Sequence, residues 1–296
     1  MSRILLIGPG AVGGSVAAWL CEAGHEVTLA VRTEFSSLTV ETPGGLTIRG
    51  QPKILSQPFG PIEADWVLVA VKTYDSAAAV PWLSALARPR PVAVLQNGVE
   101  HVARFCQWLP QERILPVMVD IPAEREAPGV IRQRSKGMMR VPAGPTGHAF
   151  VDLFTGTELD VAEVEDFTTT LWRKLCINVA GAVSALTDQA GGVAWSESAA
   201  KVMRTLVREC VAVANAEGAA LGNAMAEVVI DHYRKAPRDS INSLHADRRM
   251  GRRMEWDARN GVVSRLGRTH GIATPVNDTV CGLLAVIDEA AADLHQ

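Results

Sequence analysis

Two polar side chains, Lys174 and Asn178, stand four residues apart in an otherwise apolar stretch with helical spacing. This spacing places both on one helix face, one turn apart. If that face borders a site, desolvation by Leu175 and Ile177 lowers the lysine pKa, so that Lys174 can donate a proton near neutral pH. The other interpretation is a lysine that extends from the helix start into water. The residues alone leave both open.

A glycine-rich segment, GPGAVGG at residues 8–14, directly follows an apolar run at 4–7 and leads into a stretch with helical spacing. In such a strand–turn–helix unit, Gly8 permits the tight turn, Gly10 lets the backbone approach a pyrophosphate, and Gly13 allows close helix–strand packing. The helix N-terminus then directs its free N–H groups at the anion. We therefore expect a dinucleotide to bind at Gly8, Gly10, Ala11, Val12 and Gly13.

The residue after the second predicted strand indicates which dinucleotide binds. About 20 positions beyond the glycines, where NAD-binding chains usually have an acidic residue for the ribose 2′-hydroxyl, this chain has Arg32. The planar guanidinium suits a 2′-phosphate. Lys72, after the apolar run 66–71, either adds a second positive charge or is a solvated loop lysine. The sequence favours NADP(H), with Glu34 as the competing ribose ligand if the strand ends two residues later.

Further elements position these residues. Apolar runs recur at 66–71, 92–95 and 114–119, separated by helical or turn-rich segments, which predicts a parallel sheet covered by helices. Ligands lie at the carboxyl ends of such strands. Asn97 follows one of them, and it is either an ordinary turn residue or an amide beside the nicotinamide end of the cofactor.

The second part of the chain is predicted to be helical, because all but two of the 16 prolines lie at or before Pro145. Helices are expected over about 168–185, from an N-cap at Ser196, over 224–235, over about 246–268, and from Pro275 with Thr274 as cap. In the second helix the predicted buried stripe is Val202, Leu206, Cys210 and Val213. The fold class is therefore α/β, with an N-terminal Rossmann-type parallel sheet domain over residues 1–165 and an all-α C-terminal domain over residues 166–296. The helical domain is expected to supply substrate-binding groups.

Composition sets further bounds. The net charge of −3 gives no general attraction to nucleic acid or anionic membranes, and no apolar run approaches the roughly 18 residues that span a bilayer. A cytoplasmic protein is expected. Its five cysteines are widely separated and predict reduced core thiols and no metal site. Seven arginines between 248 and 268 are interleaved with acidic residues, which favours a solvated helix face or a subunit contact, and a homodimer is the expected assembly.

Five motifs in order give the chain a family resemblance. They are GPGAVGG at the start, VKTYD at 71–75, LQNGVE at 95–100, LWRKLCIN at 171–178, and NSLHAD followed by GRRMEWDARNG within 242–261. With them the chain resembles the ketopantoate reductases, which have a Rossmann domain followed by a helical domain. The resemblance implies reduction of a 2-oxo acid by NADPH, with 2-dehydropantoate (ketopantoate) converted to pantoate as the first expectation.

The resemblance also implies roles for individual residues. The lysine matching Lys174 is the general acid, and the asparagine matching Asn97 lies between cofactor and substrate. Those matching Asn178 and Ser243 hold substrate oxygens, and the glutamate matching Glu255 completes the site by binding a hydroxyl or holding the lysine.

Three departures from the family pattern bear on the precise substrate. Members usually have another asparagine where this chain has Ala182, and a threonine where it has Met254. The usual serine pair is also reduced to one serine, Ser243. This serine and Glu255 are 12 residues apart, about 18 Å on one straight helix, so Ser243 is expected on a loop before the helix, folded back toward the site.

Two rival functions stay open. The same plan resembles the 3-hydroxyacid dehydrogenases, so the substrate of a related reductase would be another 2-oxo acid, a 3-hydroxy acid or an imine. A non-catalytic protein that senses NADPH is the second rival, and it leaves the pair Lys174 and Asn178 unexplained.

Overall fold

The computed structural model describes residues 1–293 and divides the chain into two compact units, Met1–Phe167 and Thr168–Gln296. The strands of the first unit are β1 (Arg3–Ile7), β2 (Glu26–Ala30), β3 (Leu38–Glu41), β4 (Thr47–Gly50), β5 (Lys53–Leu55), β6 (Trp66–Val69), β7 (Val92–Val94), β8 (Ile114–Pro116), β9 (Met118–Asp120), β10 (Ala123–Ala127), β11 (Val130–Gln133), β12 (Met138–Pro142) and β13 (Asp160–Val164). Its α-helices are α1 (Ala11–Glu22), α2 (Val80–Ser84), α3 (His101–Phe105) and α4 (Pro145–Asp152).

A six-stranded sheet in the order β5-β2-β1-β6-β7-β8 forms the centre of this unit. Every neighbouring pair in it is parallel. The chain winds outward from β1 in one direction and then from β6 in the other, so the carboxyl end of β1 lies at the topological switch point where such sheets bind ligands. Two smaller sheets, β10-β11-β3-β4 and β13-β12-β9, complete the unit.

Apolar residues on both faces of the central sheet explain why it forms. Along β1, Ile4 and Leu6 join one buried cluster with α1, whereas Leu5 and Ile7 join a second cluster on the opposite face. Successive side chains of a strand point to opposite faces, so a continuous apolar run is what a strand buried on both sides requires. The sheet therefore holds the glycine turn after β1 on a rigid base.

The second unit contains helices and, among its described residues, no strand. They are α5 (Phe167–Ala180), α6 (Ala182–Thr187), α7 (Glu197–Ala216), α8 (Met225–Lys235), α9 (Ser243–Arg249), α10 (Val262–His270) and α11 (Pro275–Asp293), with a π-helical turn at Asp257–Gly261. The predicted parallel sheet followed by a helical region is thus confirmed. No helix in the described part of the chain is long and apolar enough to cross a bilayer.

The single helix predicted over 246–268 is wrong. Helix α9 ends at Arg249, and Gly251 follows with φ +60°. The Gly251 N–H donates to the carbonyl of Arg248 and the Arg252 N–H to that of Asp247, which is the Schellman pattern that closes a helix. The chain then runs without helix to Trp256 before the π-helical turn begins.

Three smaller expectations also need correction. The strand predicted over 66–71 ends at Val69. On α7, Leu206, Cys210 and Val213 are fully buried as predicted, but Val202 is exposed. Cys176 and Cys210 are buried thiols, whereas Cys106 is exposed rather than part of the core.

Candidate functional site

The turn between β1 and α1 has the backbone geometry that its glycines predict. Gly8 adopts φ +87°, and a Cβ atom there would lie 2.6 Å from Cγ1 of Val71. A Cβ atom on Gly13 would lie 2.5 Å from the Gly8 carbonyl oxygen and 2.9 Å from Cβ of Ala70. A side chain is therefore excluded at both positions.

Gly10 differs from these two glycines. It is the N-cap of α1, and among the described residues other than Gly10 and its chain neighbours no heavy atom lies within 4 Å of the position of a Cβ on Gly10. An α-helix leaves its first N–H groups without partners inside the helix, and in α1 these groups belong to Ala11, Val12 and Gly13. The space beside Gly10 is open, and the N–H groups at the start of α1 point away from the helix at the topological switch point of the sheet. This arrangement fits the pyrophosphate of a dinucleotide.

Beside this turn, Gln96 ties together the ends of β6 and β7. Its Nε2 donates to the Val71 carbonyl oxygen at 3.0 Å and to Oγ of Ser76 at 3.0 Å, and its Oε1 accepts from Nη1 of Arg104 at 2.9 Å. The loop that carries Lys72 is thereby joined to the loop that carries Asn97, whose side chain is half-buried. Gln96 is not among the site residues predicted from the sequence, although a polar residue directly after the apolar run 92–95 is a usable signal.

His101 completes this network from the start of α3. It is fully buried, and its Nε2 lies 2.8 Å from the Gln96 carbonyl oxygen. Burial, aided by the nearby positive charge of Arg104, lowers the pKa of His101 to about 4. The imidazole is therefore neutral at pH 7, and because a carbonyl oxygen only accepts, the proton lies on Nε2.

Arg32 lies two residues beyond the end of β2, and 86% of its side chain is exposed. Its Nη1 is 3.3 Å from a carboxylate oxygen of Asp75, which lies in the 3-10 turn after Lys72. The competing residue, Glu34, instead accepts a hydrogen bond from Oγ of Ser56 at 2.7 Å. Two basic residues, Arg32 and Lys72, thus follow the ends of two strands of the same sheet.

In the second unit, Lys174 and Asn178 lie on one face of α5, one turn apart, and both are half-buried. The adjacent Leu175 and Cys176 are buried on the other side of the helix. The predicted pair therefore lies on the accessible face rather than in the core of this unit.

Two side chains fix the C-terminal end of α5. The Tyr233 hydroxyl donates to the Ile177 carbonyl oxygen at 2.9 Å, and Nδ2 of Asn242 donates to that of Gly181 at 3.0 Å. Asn242 also caps α9, because its Oδ1 accepts from the His245 N–H at 3.1 Å. The end of α5, where Asn178 lies, is thus bonded to α8, and the residue after it is bonded to the N-cap of α9, which directly precedes Ser243.

The first residue of α9 is Ser243, which is predicted from the sequence to lie on a loop. It lies instead in the first turn of α9, is exposed, and its Oγ accepts from Nη2 of Arg259 at 2.6 Å. Arg259 is buried and so is Glu255. Burial lowers the pKa of the Arg259 guanidinium, while the negative charge of Glu255 acts in the opposite sense. Arg259 therefore interacts with both residues, through a hydrogen bond to Ser243 and through the charge of Glu255. This is possible because the helix ends after α9, so that the separation of about 18 Å that a straight helix would impose does not apply.

Arg259 corrects the prediction that the arginines between 248 and 268 form a solvated face or subunit contact. Several others contact oxygen acceptors: Arg248 the Ala185 carbonyl, Arg249 the Asp188 carboxylate, Arg252 that of Asp247, Arg265 that of Asp257 and Arg268 that of Asp278. Of these acceptor residues, Ala185 and Asp247 are themselves buried. Burial of Arg259 was not predictable from the alternating charges around it.

Two positions where the chain departs from the family pattern are buried. Ala182 begins α6 and is 0% exposed, and Met254 is buried beside Glu255 in the sequence. Among the described residues, no group of three or more His, Cys, Asp or Glu side chains is close enough to hold a metal ion.

Two family models match the chain in succession. One, described as ketopantoate reductase PanE/ApbA, matches residues 4–146, and its C-terminal counterpart matches residues 166–288. The chain is 54% identical to a 2-dehydropantoate 2-reductase of Caulobacter vibrioides, over 96% of this chain and 98% of the relative. It is 38% identical to a protein of that name from Mycobacterium tuberculosis, over 97% and 98%.

Solved structures share the fold. A PanE/ApbA family ketopantoate reductase from Ralstonia eutropha superimposes with a TM-score of 0.90 at 30% identity, covering 98% of this chain and 99% of that one. A D-mandelate dehydrogenase solved with NADH and anilino(oxo)acetate superimposes with a TM-score of 0.88 at 22% identity, covering 98% and 99%.

Proposed function

Because the chain belongs to the ketopantoate reductase PanE/ApbA family, we propose that it reduces 2-dehydropantoate to pantoate with NADPH. The observation that carries the proposal is the 54% identity to a 2-dehydropantoate 2-reductase over nearly the whole of both chains. The glycine turn and the pair Lys174 and Asn178 supply the two chemical functions that such a reaction needs, an anion-binding cofactor site and a proton donor.

The proposed cofactor follows from the first unit. The open space at Gly10 and the free amides at the start of α1 fit a pyrophosphate, and a bound reduced nicotinamide supplies the hydride. Arg32 is exposed and close to the end of β2, so its guanidinium is placed to bind a 2′-phosphate, with Lys72 as a second cation. Asn97 orients the substrate carbonyl from the loop after β7.

Proton transfer is assigned to the second unit. Lys174 donates a proton to the oxygen on C2 of the substrate as that carbon is reduced, and its positive charge stabilises the negative charge that develops on the oxygen. Asn178 and Ser243 bind substrate oxygens, and Glu255 binds a hydroxyl group of the substrate or holds Lys174. Lys174 is half-buried, so its side chain retains access to a ligand, as this role requires.

Ala182 favours a second candidate, the reduction of another 2-oxo acid. Its methyl group is fully buried at the start of α6, so this position offers no polar contact to the terminal hydroxyl of ketopantoate. A site that hydrogen-bonds a substrate hydroxyl discriminates strongly, whereas a site without that contact discriminates weakly against less polar substrates.

A substrate panel tests both candidates. The purified protein is assayed with NADPH and with ketopantoate, pyruvate and branched 2-oxo acids, and the loss of absorbance of reduced nicotinamide is followed. We expect the highest kcat/KM with ketopantoate. A higher value with a branched 2-oxo acid would favour the second candidate. Tight NADPH binding without turnover of any substrate would contradict an enzymatic function and favour an NADPH sensor.

A homodimer stays a prediction. Exposed apolar side chains lie on several helices of the second unit, namely Val202, Val228, Leu283 and Val286, and burial of such side chains is a common driving force for association. Sedimentation or light scattering should give twice the mass of one chain.

A further inference from the structure

The proposed reaction does not use the buried guanidinium of Arg259 in the second unit. Arg259 is 3% exposed and lies within the π-helical turn before α10. Its Nη2 donates to Oγ of Ser243, and within the described part of the chain its buried Nε has no hydrogen-bond partner. Burying an arginine costs free energy unless its charge is paired or serves a function. The burial of Arg259 therefore needs a physical explanation.

The negative charge of the carboxylates near Arg259 is shared with a second arginine. Glu255 and Asp247 both act on the Arg259 charge, together with the polar hydroxyl of Tyr233. Asp247, however, is also paired with Arg252, whose Nη2 lies 2.9 Å from its Oδ1. Two arginines and two carboxylates therefore meet in this region, and the local charge does not exclude a further anion.

The direction of the bond to Ser243 determines what that serine can do. A serine hydroxyl has one proton and two acceptor sites. Because Oγ of Ser243 accepts from Arg259, its own proton stays available for an external acceptor, and Ser243 is exposed. The Arg259 guanidinium polarises this O–H group. Its positive charge lies one hydrogen bond away from the exposed Ser243 hydroxyl.

We propose that Arg259 is a positioning residue that acts through Ser243 to select the carboxylate of a 2-oxo acid over a neutral group. This inference rests on the proposed function and deepens it by naming what fixes substrate class. The carboxylate accepts a hydrogen bond from the Ser243 hydroxyl. Arg259, bonded to the same hydroxyl oxygen, supplies the complementary positive charge. Arg259 itself stays buried and does not contact the substrate.

The test compares an acid with its neutral counterpart. Binding of the 2-hydroxy acid pantoate and of its primary amide to the protein saturated with NADP⁺ is measured by calorimetry, alongside kcat and KM for ketopantoate. In Arg259→Met we expect pantoate affinity to fall roughly 10-fold, because the hydrogen bond from Ser243 to the carboxylate loses the positive charge behind it, with amide affinity changed less than threefold. Arg259→Lys, which retains the charge, should recover part of the pantoate affinity.

A double-mutant cycle tests the route through Ser243. If Arg259 acts through this serine, Ser243→Ala should reproduce most of the effect and Ser243→Ala/Arg259→Met should add little to either single change. Arg268→Met is the matched control, because Arg268 is exposed on α10 with Asp278 at 3.5 Å, and it should bind both ligands as the unmodified protein does.

The outcomes separate this inference from the proposed function. Equal losses for acid and amide, or fully additive losses in the cycle, would overturn the role of Arg259 and indicate a merely structural arginine. If Arg259→Met does not fold, the affinities of Arg259→Lys and Ser243→Ala for acid and amide are compared instead. If the amide binds too weakly to measure, the double-mutant cycle with pantoate decides whether Arg259 acts through Ser243. Absence of turnover and of pantoate binding in the unmodified protein would instead contradict the proposed function.

Discussion

Lys174 is the residue on which the proposed chemistry depends most. Lys174→Ala should lower kcat by about 10²- to 10⁴-fold, the usual contribution of a positioned general acid, while the NADPH Kd changes only a few-fold. Because the acid must be protonated to act, activity should fall on the alkaline side of the pH profile, and this limb should vanish in the variant.

Arg173→Ala is the matched control for that change, since Arg173 is the preceding residue of α5 and is exposed. It should retain nearly all of kcat. If Lys174→Ala also retained most of kcat on its best 2-oxo acid, proton donation would come from elsewhere, and Glu255 would be the next residue to test.

Arg32 is the residue that we propose sets the choice between the two dinucleotides. Arg32→Ala should remove about 1.5 to 3 kcal/mol of charge-assisted bonding to the 2′-phosphate, which raises the NADPH KM roughly 10- to 100-fold and leaves the NADH KM nearly unchanged. Glu34→Ala provides the comparison, because Glu34 is bonded to Ser56 and should affect neither cofactor. Equal weakening of both cofactors by Arg32→Ala would refute the assignment.

Local patterns predicted some of these residues and missed others for a physical reason. The glycine turn is fixed by contacts with sequence neighbours and with the two residues that follow β6, so its motif was informative. Arg259 belongs to a run of alternating charges that looks solvated, and its burial depends on Ser243, a residue 16 positions away that only the folded helices bring into contact. The spacing of residues along the sequence does not predict such a contact.

Elements that follow one periodicity were predictable, whereas their ends were less so. Helices α8 and α11 begin within a residue or two of their predicted starts, because each has a clear apolar stripe or a Thr-Pro start. The break after α9 was missed although Gly251 marks it, since the charged residues on either side continue a helix-compatible pattern. A glycine in the left-handed region overrides that pattern locally.

The network around His101 predicts an acid sensitivity of the first unit. A histidine with a folded pKa of about 4 binds fewer protons than in the unfolded chain, where its pKa is about 6.5. Stability contributed by the neutral form is therefore present above pH 6.5 and is lost as the pH falls toward 4. Between pH 7 and pH 5 this single group should lower the free energy of unfolding by about 2 kcal/mol.

Urea unfolding at the two pH values measures this effect. His101→Gln, whose amide can still donate to the Gln96 carbonyl, should remove most of the pH-dependent difference. His148→Gln is the control, because His148 is exposed on α4. An unchanged difference in His101→Gln would show that other groups cause the acid sensitivity.

At the scale of the whole molecule, the proposed chemistry is divided between two units. The first contains the glycine turn, Arg32 and Asn97, and the second contains Lys174, Asn178, Ser243 and Glu255. The first unit has its own sheet and buried clusters on both sheet faces, so it has the means to fold separately. The cofactor-binding and proton-donating functions should therefore be separable.

A fragment of residues 1–167 tests this division. It should bind NADPH, more weakly than the full chain, and reduce no 2-oxo acid, because the proton donor and the substrate-binding groups of the second unit are missing. Fluorescence of the reduced nicotinamide measures binding, and circular dichroism verifies that the fragment is folded. Arg32→Ala in the same fragment should weaken NADPH far more than NADH, which distinguishes specific binding from adsorption. Measurable turnover by the folded fragment would contradict the assignment of Lys174 as the acid, and a folded fragment without cofactor affinity would contradict the dinucleotide site at the glycine turn.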